Sequence, residues 1–126
     1  MLKKNISHGF FNKNEGKSIG IYKSLNCGQG SKDKSNIIQK NLNIVKNKIS
    51  KNSKNIFLIH QIHSNKFVYI NKNFNFDGKK KKADAIITDQ KKLPIGVLTA
   101  DCAPVLLHEN KKNMIAVIHA GWKGAF

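Results

Sequence analysis

The feature that most constrains the fold is a change of hydrophobic period near residue 55. Residues 35–50 place apolar side chains at steps of three and four, which predicts an amphipathic helix. The chain beyond residue 55 contains short apolar runs separated by turn residues, which predict strands. Strands this apolar are usually buried on both faces and need covering helices. We therefore expect one clear helix followed by several short strands, whose sheet needs further helices to cover it.

The expected boundaries follow from turn and capping signals. Asp33 or Ser35 is expected to cap the helix by accepting its free N–H groups, residues 71–82 to form a polar surface loop, and residues 109–113 to form a hairpin loop. Eight strands are expected, at residues 6–11, 19–22, 55–63, 66–71, 83–88, 95–99, 104–108 and 114–119.

The length of 126 residues fits one domain, which we place at residues 1–126. Residues 121–126 resemble the beginning of a helix, but no helix body follows them. One helix is too little to cover the expected sheets. We therefore expect this single domain to be truncated at its C-terminal side and to lack part of its covering layer.

The formal net charge is +16, and all 23 basic residues are lysine. Such a charge first suggests a nucleic-acid or other anionic partner. Proteins that read nucleic acid usually use arginine for bidentate contacts, and the frequent Lys, Asn and Ile share A/T-rich codons. A basic nucleic-acid-binding module is therefore a minor alternative. The positive field would still attract small anionic substrates.

The two cysteines, Cys27 and Cys102, are too few for a disulfide framework. No apolar segment follows the N-terminal lysines as in a signal peptide. No apolar run approaches the ~20 residues of a membrane span. These features predict a cytoplasmic protein without a membrane partner, and they leave the oligomeric state open.

Three residues at expected strand ends could hold a metal ion: His63, Cys102 and His119. A thiolate and two imidazoles suit Zn²⁺ and leave a fourth position for water or substrate. The same residues allow a second interpretation, in which Cys102 is a nucleophile and a histidine is its base. A third interpretation is that all three are ordinary structural residues. Sequence spacing alone does not decide among them.

A resemblance favours the metal site. Residues 98–107 read Leu-Thr-Ala-Asp-Cys-Ala-Pro-Val-Leu-Leu, and residues 119–124 read His-Ala-Gly-Trp-Lys-Gly. Both segments resemble the laccase-domain family, also called multicopper polyphenol oxidase or YfiH-like. Gln-Ile-His at 61–63, Ala-Asp-Ala-Ile-Ile-Thr at 83–88, and the region 18–28 resemble further family motifs in the same order.

The resemblance implies a zinc-dependent cytoplasmic enzyme acting on purine nucleosides and phosphate. Such enzymes phosphorolyse adenosine, inosine, guanosine and methylthioadenosine, and deaminate adenosine. It implies His63, Cys102 and His119 as the zinc ligands. It also implies an α+β fold with mixed β-sheets flanked by helices. Two other activities attributed to the family stay as alternatives: editing of peptidoglycan precursors, which would suit a Cys-His hydrolase or amidase, and copper-dependent polyphenol oxidation. Copper is disfavoured, because five histidines without a His-X-His pair are too few for a multicopper cluster.

Roles follow for residues near the ligands. Cys102, Asp101 and Asp84 are the candidate catalytic residues, and the two aspartates are candidates for proton transfer. Asp101 could instead orient a histidine, and either aspartate could simply cap a turn. Trp122 could stack on a purine or pack in the core. The candidate substrate-binding residues are Ser24, Asn26, Gln61, Trp122 and Lys123.

The chain departs from the family pattern at two positions. Leu42 and Lys123 stand where the family has arginine. Lysine keeps the charge but lacks the planar fork that binds phosphate in two places, which weakens the expectation of phosphorolysis. Cys27 replaces a common leucine and is expected to be a packing residue.

Overall fold

A computed structural model describes residues 6–123. The chain divides into two compact units, Met1–Ile56 and Phe57–Phe126. The assignment of residues 1–126 to one domain remains a prediction. Among the described residues, no helix combines the length and the apolar character that a bilayer crossing requires.

The first unit is built on helix α1, Ser35–Ile49, within one residue of the prediction. Its apolar stripe is buried, with Ile38, Leu42 and Val45 inside. The predicted cap is wrong. Lys34 is the N-cap residue and makes no side-chain capping bond. The carboxylate of Asp33 instead accepts hydrogen bonds from neighbouring side chains and from the Lys34 N–H.

Asn41 is the buried polar centre of the first unit, with 0% of its surface exposed. Its Nδ2 donates to Ser18 Oγ at 2.9 Å, to the Asn26 carbonyl at 2.8 Å and to the Ser24 carbonyl at 3.3 Å. Its Oδ1 accepts from the Lys17 N–H at 2.7 Å. One amide thus satisfies the backbone of the segment 17–26 and ties it to α1.

Two predicted strands of the first unit are absent. Residues 6–11 form no strand, and residues 19–22 contain the short 3-10 turn Gly20–Tyr22 instead. The Ser18 N–H donates to the Ser24 carbonyl at 2.9 Å, which closes this segment into a loop. Ile19 and Ile21 are left on the surface. An apolar run without a pairing partner does not make a strand.

Between residues 57 and 123 the second unit contains six strands, which are β1 Phe57–Leu58, β2 Phe67–Ile70, β3 Ala85–Thr88, β4 Ile95–Gly96, β5 Ala103–Glu109 and β6 Met114–Ala120. They form two sheets. Strands β1 and β4 form a parallel pair. The other sheet is mixed, in the order β2-β3-β6-β5, with β2 parallel to β3 and the remaining pairs antiparallel. These sheets confirm the expected α+β class with mixed sheets.

Two strands are shorter than predicted, because side chains take over their backbone bonds. The run at 55–63 reduces to β1 and a single bridge from His60 to Lys82. The run at 95–99 reduces to β4, and beyond it the Leu98 backbone bonds to the amide of Gln61. Residues 71–82 form the predicted loop, apart from Lys82 in its bridge, and residues 110–113 form the predicted hairpin turn.

The core of the second unit lies on one face of the mixed sheet. Ile86 and Val117 are opposite each other in neighbouring strands and are buried. Ile59, Ile70 and Ala83 complete the cluster. The other sheet face also carries apolar residues, but four of them are exposed: Phe67, Tyr69, Val105 and Leu107. Within the described residues, nothing covers these four side chains, as expected for a sheet that lacks part of its covering layer.

The predicted start of a helix at residues 121–126 is only partly open to comparison. Trp122 and Lys123 lie in a turn after β6. Residues 124–126 lie outside the described residues.

Candidate metal centre

Three donors converge at one end of the mixed sheet. His63 lies in the turn between β1 and β2, Cys102 directly precedes β5, and His119 is the penultimate residue of β6. Because β5 pairs with β6 in the register Ala103 to Ala120, Cys102 meets the end of β6. The candidate ligand atoms all lie within 4.8 Å of one another. The structure thus brings together three residues separated by as many as 56 positions in sequence.

The three side chains differ in exposure. His119 is buried, Cys102 is partly exposed and His63 is exposed. The distance from Cys102 Sγ to His63 Nε2 is 3.9 Å, and the two imidazole rings meet edge to face with centroids 4.8 Å apart. The cluster therefore has a buried wall on the His119 side and an open side at His63.

Asp84 binds both histidine-bearing segments. It is 2% exposed. Its Oδ1 accepts from the His63 N–H and His119 Nδ1, both at 2.9 Å. Its Oδ2 accepts from the Ile62 N–H at 3.2 Å, the Ser64 N–H at 2.7 Å and Ser64 Oγ at 2.9 Å. Burial by itself would raise the pKa of Asp84, but hydrogen bonds from His119, Ser64 and His63 outweigh it and lower the pKa to about 2.

Gly121 lies against all three candidate ligands. A Cβ at this position would be 2.8 Å from His63 Cδ2 and 3.5 Å from both Cys102 Sγ and His119 Cε1. A side chain would therefore displace the His63 ring. No role was predicted for Gly121, although it lies within the His-Ala-Gly-Trp segment. The donor set and this close packing fit a small, soft-to-borderline ion such as Zn²⁺.

The remaining predicted site residues of the second unit have different surroundings. Gln61 uses both ends of its amide on Leu98: Nε2 donates to the carbonyl at 2.7 Å, and Oε1 accepts from the N–H at 2.8 Å. Trp122 is 70% exposed, so it does not pack in the core of the described chain. Lys123 Nζ lies 5.1 Å from the Trp122 ring centroid. Asp101 is exposed beside Cys102.

Ser24 and Asn26 belong to the first unit, and both are engaged within it. Ser24 Oγ donates to the Lys13 carbonyl at 2.7 Å. Asn26 Nδ2 donates to Ser31 Oγ at 2.9 Å and to Asp33 at 3.1 Å. Their predicted contact with substrate remains a prediction. Cys27 is a partly buried free thiol whose pKa is raised by burial, as suits a packing residue.

Proteins of similar sequence match most of this chain. A protein of Bacteroides thetaiotaomicron named purine nucleoside phosphorylase is 30% identical over an alignment that covers 95% of this chain and 47% of that protein. A Haemophilus influenzae protein of the same name is 34% identical over 96% of this chain and 48% of its own length. The chain therefore spans about half the length of the curated relatives it matches.

Solved structures share the fold. The crystal structure of a DUF152 protein from Neisseria meningitidis matches with a TM-score of 0.74 and 33% identity, over 89% of this chain and 44% of that one. The Geobacillus stearothermophilus protein YlmD matches with a TM-score of 0.79 over the same shares, and its 22% identity supports the fold alone.

The family described as Multi-copper polyphenol oxidoreductase laccase matches residues 7–126, a range that includes all three candidate ligands. The chain belongs to this laccase-like family.

Proposed function

We propose that this chain carries the zinc centre of an enzyme that acts on purine nucleosides. The observation that supports this most is the convergence of His63, Cys102 and His119, whose ligand atoms lie within 4.8 Å of one another. Relatives named purine nucleoside phosphorylase support the substrate class. Both cysteines are free thiols, which suits a reducing compartment such as the cytoplasm.

His63, Cys102 and His119 would hold the ion. Three protein ligands, with one position left for another molecule, are typical of catalytic zinc. Once bound, the ion would supply Lewis-acid chemistry, either polarising a substrate oxygen or acidifying a water molecule. The open side of the cluster at His63 gives a substrate access, while the buried His119 keeps the opposite wall rigid.

Trp122 and Lys123 are the best candidates for substrate contact. They directly follow Gly121, which contacts all three ligand side chains. The exposed indole offers a face on which a purine could stack. The Lys123 ammonium lies over the same ring, 5.1 Å from its centroid, and would attract phosphate, as would the overall charge of +16. Gln61, whose amide is bound to Leu98, would act by holding its turn in place.

Two reactions suit such a site. Phosphorolysis breaks the bond between the sugar C1′ and the purine nitrogen, joins a phosphate oxygen to C1′, and releases the purine with a proton. The candidate nucleosides are adenosine, inosine, guanosine and methylthioadenosine. Deamination replaces the amino group of adenosine with a water oxygen and releases ammonia. The exposed Asp101, adjacent to Cys102, is the candidate for proton transfer in either reaction.

One observation favours a second function. Cys102 Sγ lies 3.9 Å from His63 Nε2, so these residues could form the nucleophile and base of a metal-free hydrolase or amidase. The dependence of activity on zinc separates the two functions. A hydrolase of this kind would turn over its substrate without metal, whereas the zinc enzyme would lose activity with a chelator and regain it with Zn²⁺.

A copper-dependent polyphenol oxidase would need more ligands than this cluster offers. Within residues 6–123, His63, Cys102 and His119 are the one group of three or more potential donors close enough to share an ion. Multicopper oxidation requires several copper ions and a correspondingly larger ligand set. The proposal is therefore one ion per chain, with zinc preferred.

The chain spans about half the length of its relatives, so the test is product analysis of a zinc-loaded protein that contains this chain at the full length of those relatives. The substrates are adenosine and phosphate. Chromatography that separates adenine, inosine and hypoxanthine identifies the reaction, since adenine reports phosphorolysis and inosine reports deamination. We expect at least one of the two products, its loss in Cys102→Ala, and its retention in the control His108→Ala. Absence of both products from the folded, zinc-loaded, full-length protein would contradict the proposal.

A further inference from the structure

We propose that Asp84 is the positioning residue of the centre: it fixes the tautomer of His119 and holds the turn that presents His63. This inference rests on the proposed metal site. It replaces the proton-transfer role expected for Asp84 from the sequence. The geometry points to one carboxylate that aligns two ligands from separate parts of the second unit.

Asp84 sets which nitrogen of the His119 ring carries the proton. Both side chains are buried, and Asp84 Oδ1 lies 2.9 Å from His119 Nδ1. The same oxygen also accepts from the His63 N–H, so it faces the ring as an acceptor. His119 must then carry its proton on Nδ1. In the neutral ring this leaves the lone pair on Nε2, the atom available for a metal ion.

Asp84 also holds the turn that carries His63. Three consecutive N–H groups, those of Ile62, His63 and Ser64, point at the carboxylate of Asp84. His63 has φ of 55°, a left-handed conformation that is unfavourable for residues other than glycine. The His63 ring meets His119 and lies close to Gly121, but the side chain as a whole is exposed. Its position therefore depends also on the backbone that Asp84 binds.

A carboxylate can accept both from Nδ1 of His119 and from the N–H groups of the turn that carries His63. Its two oxygens accept from five donors, and each donor is an N–H or O–H. Asparagine has the same shape, but one of its two ends is itself a donor. That NH₂ group would face either the Ile62 and Ser64 N–H groups or the Nδ1 of His119. In the second case His119 would be driven to the tautomer with a protonated Nε2.

The same contacts argue against a role for Asp84 in proton transfer. Five donors occupy its two oxygens, and only 2% of its surface is exposed. A residue that exchanges protons with substrate needs an oxygen within reach of the reacting group. Asp84 therefore acts through the histidines.

The experiment compares Asp84→Asn with Asp89→Asn. Asp84 and Asp89 flank the same strand, β3, but Asp89 is exposed, so the control makes the same chemical change away from the site. Cobalt(II) is the probe, titrated while the thiolate-to-cobalt absorption band is followed. We expect Asp84→Asn to weaken cobalt binding roughly 10- to 100-fold, the usual effect of losing such a supporting contact. Asp89→Asn should stay within about twofold of the wild type.

A second readout separates positioning from general loss of structure. Imidazole ¹⁵N NMR of the metal-free chain reports the tautomer of His119 directly. We expect the Nδ1–H form in the wild type and loss of that preference in Asp84→Asn. If Asp84→Asn does not fold, two measurements still test whether Asp84 positions the histidines. One is the tautomer of His119 in the wild type, and the other is cobalt binding by the milder variant Ser64→Ala, which we expect to be weaker a few-fold.

The outcomes are distinguishable. Wild-type binding that is undiminished in Asp84→Asn, or an Nε2–H tautomer in the wild type, overturns the inference and leaves the metal centre standing. A wild-type chain that binds no cobalt overturns the metal centre itself, and the inference with it.

Discussion

Each of the two units contains a buried polar side chain that organises its surroundings, Asn41 in the first and Asp84 in the second, and the two differ in chemistry. Asn41 in the first unit is an amide that both donates and accepts, so it satisfies carbonyls and an N–H of the neighbouring segment. Asp84 in the second unit only accepts, so its partners are all donors. One of those donors is an imidazole of the candidate metal centre.

The comparison teaches how a buried polar group becomes connected to function. An amide can complete its hydrogen bonds with backbone and neighbouring polar groups, and its role in the structure ends with the local fold. A buried carboxylate must gather donors on every side. When a histidine is among them, the carboxylate also sets which ring nitrogen is free. The following predictions, from the largest expected effect to the smallest, would break or sharpen this distinction.

Replacing the amide centre should destabilise the first unit without affecting the metal. Asn41→Ala leaves the Lys17 N–H and the carbonyls it served without their partner, at an expected cost of about 2–3 kcal/mol in unfolding free energy. Urea denaturation followed by the far-UV helical signal measures this cost. Cobalt affinity should stay within about twofold of the wild type. A loss of affinity as large as that of Asp84→Asn would show that the two centres are not independent.

A side chain at Gly121 should disturb the ligands directly. In Gly121→Ala the new Cβ would lie 2.8 Å from the His63 ring, so the ring must move. We expect a roughly tenfold loss of cobalt affinity, similar to the loss of a supporting contact. Gly30→Ala is the matched control, because a Cβ there meets nothing within 4 Å. Equal affinities for the two variants would mean that the cluster tolerates rearrangement.

Removing one donor to Asp84 should have a graded effect. Ser64→Ala deletes the hydroxyl bond to Oδ2 and leaves the Ser64 N–H and His119 in contact with the carboxylate. The expected stability cost is about 1 kcal/mol, measured by denaturation of the metal-free chain. A cost equal to that of Asp84→Asn would indicate that the hydroxyl, rather than the backbone, carries the turn.

Asp101→Asn should have the smallest effect on structure. Asp101 is exposed, so stability should change by less than about 0.5 kcal/mol, and cobalt binding should be nearly unchanged. Product formation should nevertheless fall by at least about tenfold if Asp101 transfers protons. Unchanged product formation in the zinc-loaded variant would remove Asp101 from the reaction.

The sequence predicted those elements whose formation depends on local pattern. Helix α1 follows from its apolar stripe, and the hairpin between β5 and β6 follows from the polar run between two apolar strands. It also pointed to the three donors, through their motifs. The strand expected at 55–63 was too long because Asp84, 21 residues away from His63, takes the N–H groups of that turn. No local pattern contains that information.

The roles of Asn41 and Gly121 were missed for the same reason. Asn41 reads as one polar residue among several on a helix, and its burial becomes visible only when the segment 17–26 lies over it. Gly121 reads as a turn residue, and its closeness to three side chains from separate segments is a tertiary property. The helix cap predicted at Asp33 does not form, because the carboxylate accepts hydrogen bonds from the side chains of Ser18 and Asn26 instead.

The central claim, that one ion is held jointly by His63, Cys102 and His119, is tested most directly by X-ray absorption at the zinc edge of the zinc-loaded chain. We predict one sulfur ligand at about 2.3 Å and two imidazole nitrogens at about 2.0–2.1 Å, with the sulfur shell lost in Cys102→Ala. A wild-type spectrum without sulfur, or a sulfur shell that persists in Cys102→Ala, would contradict the account.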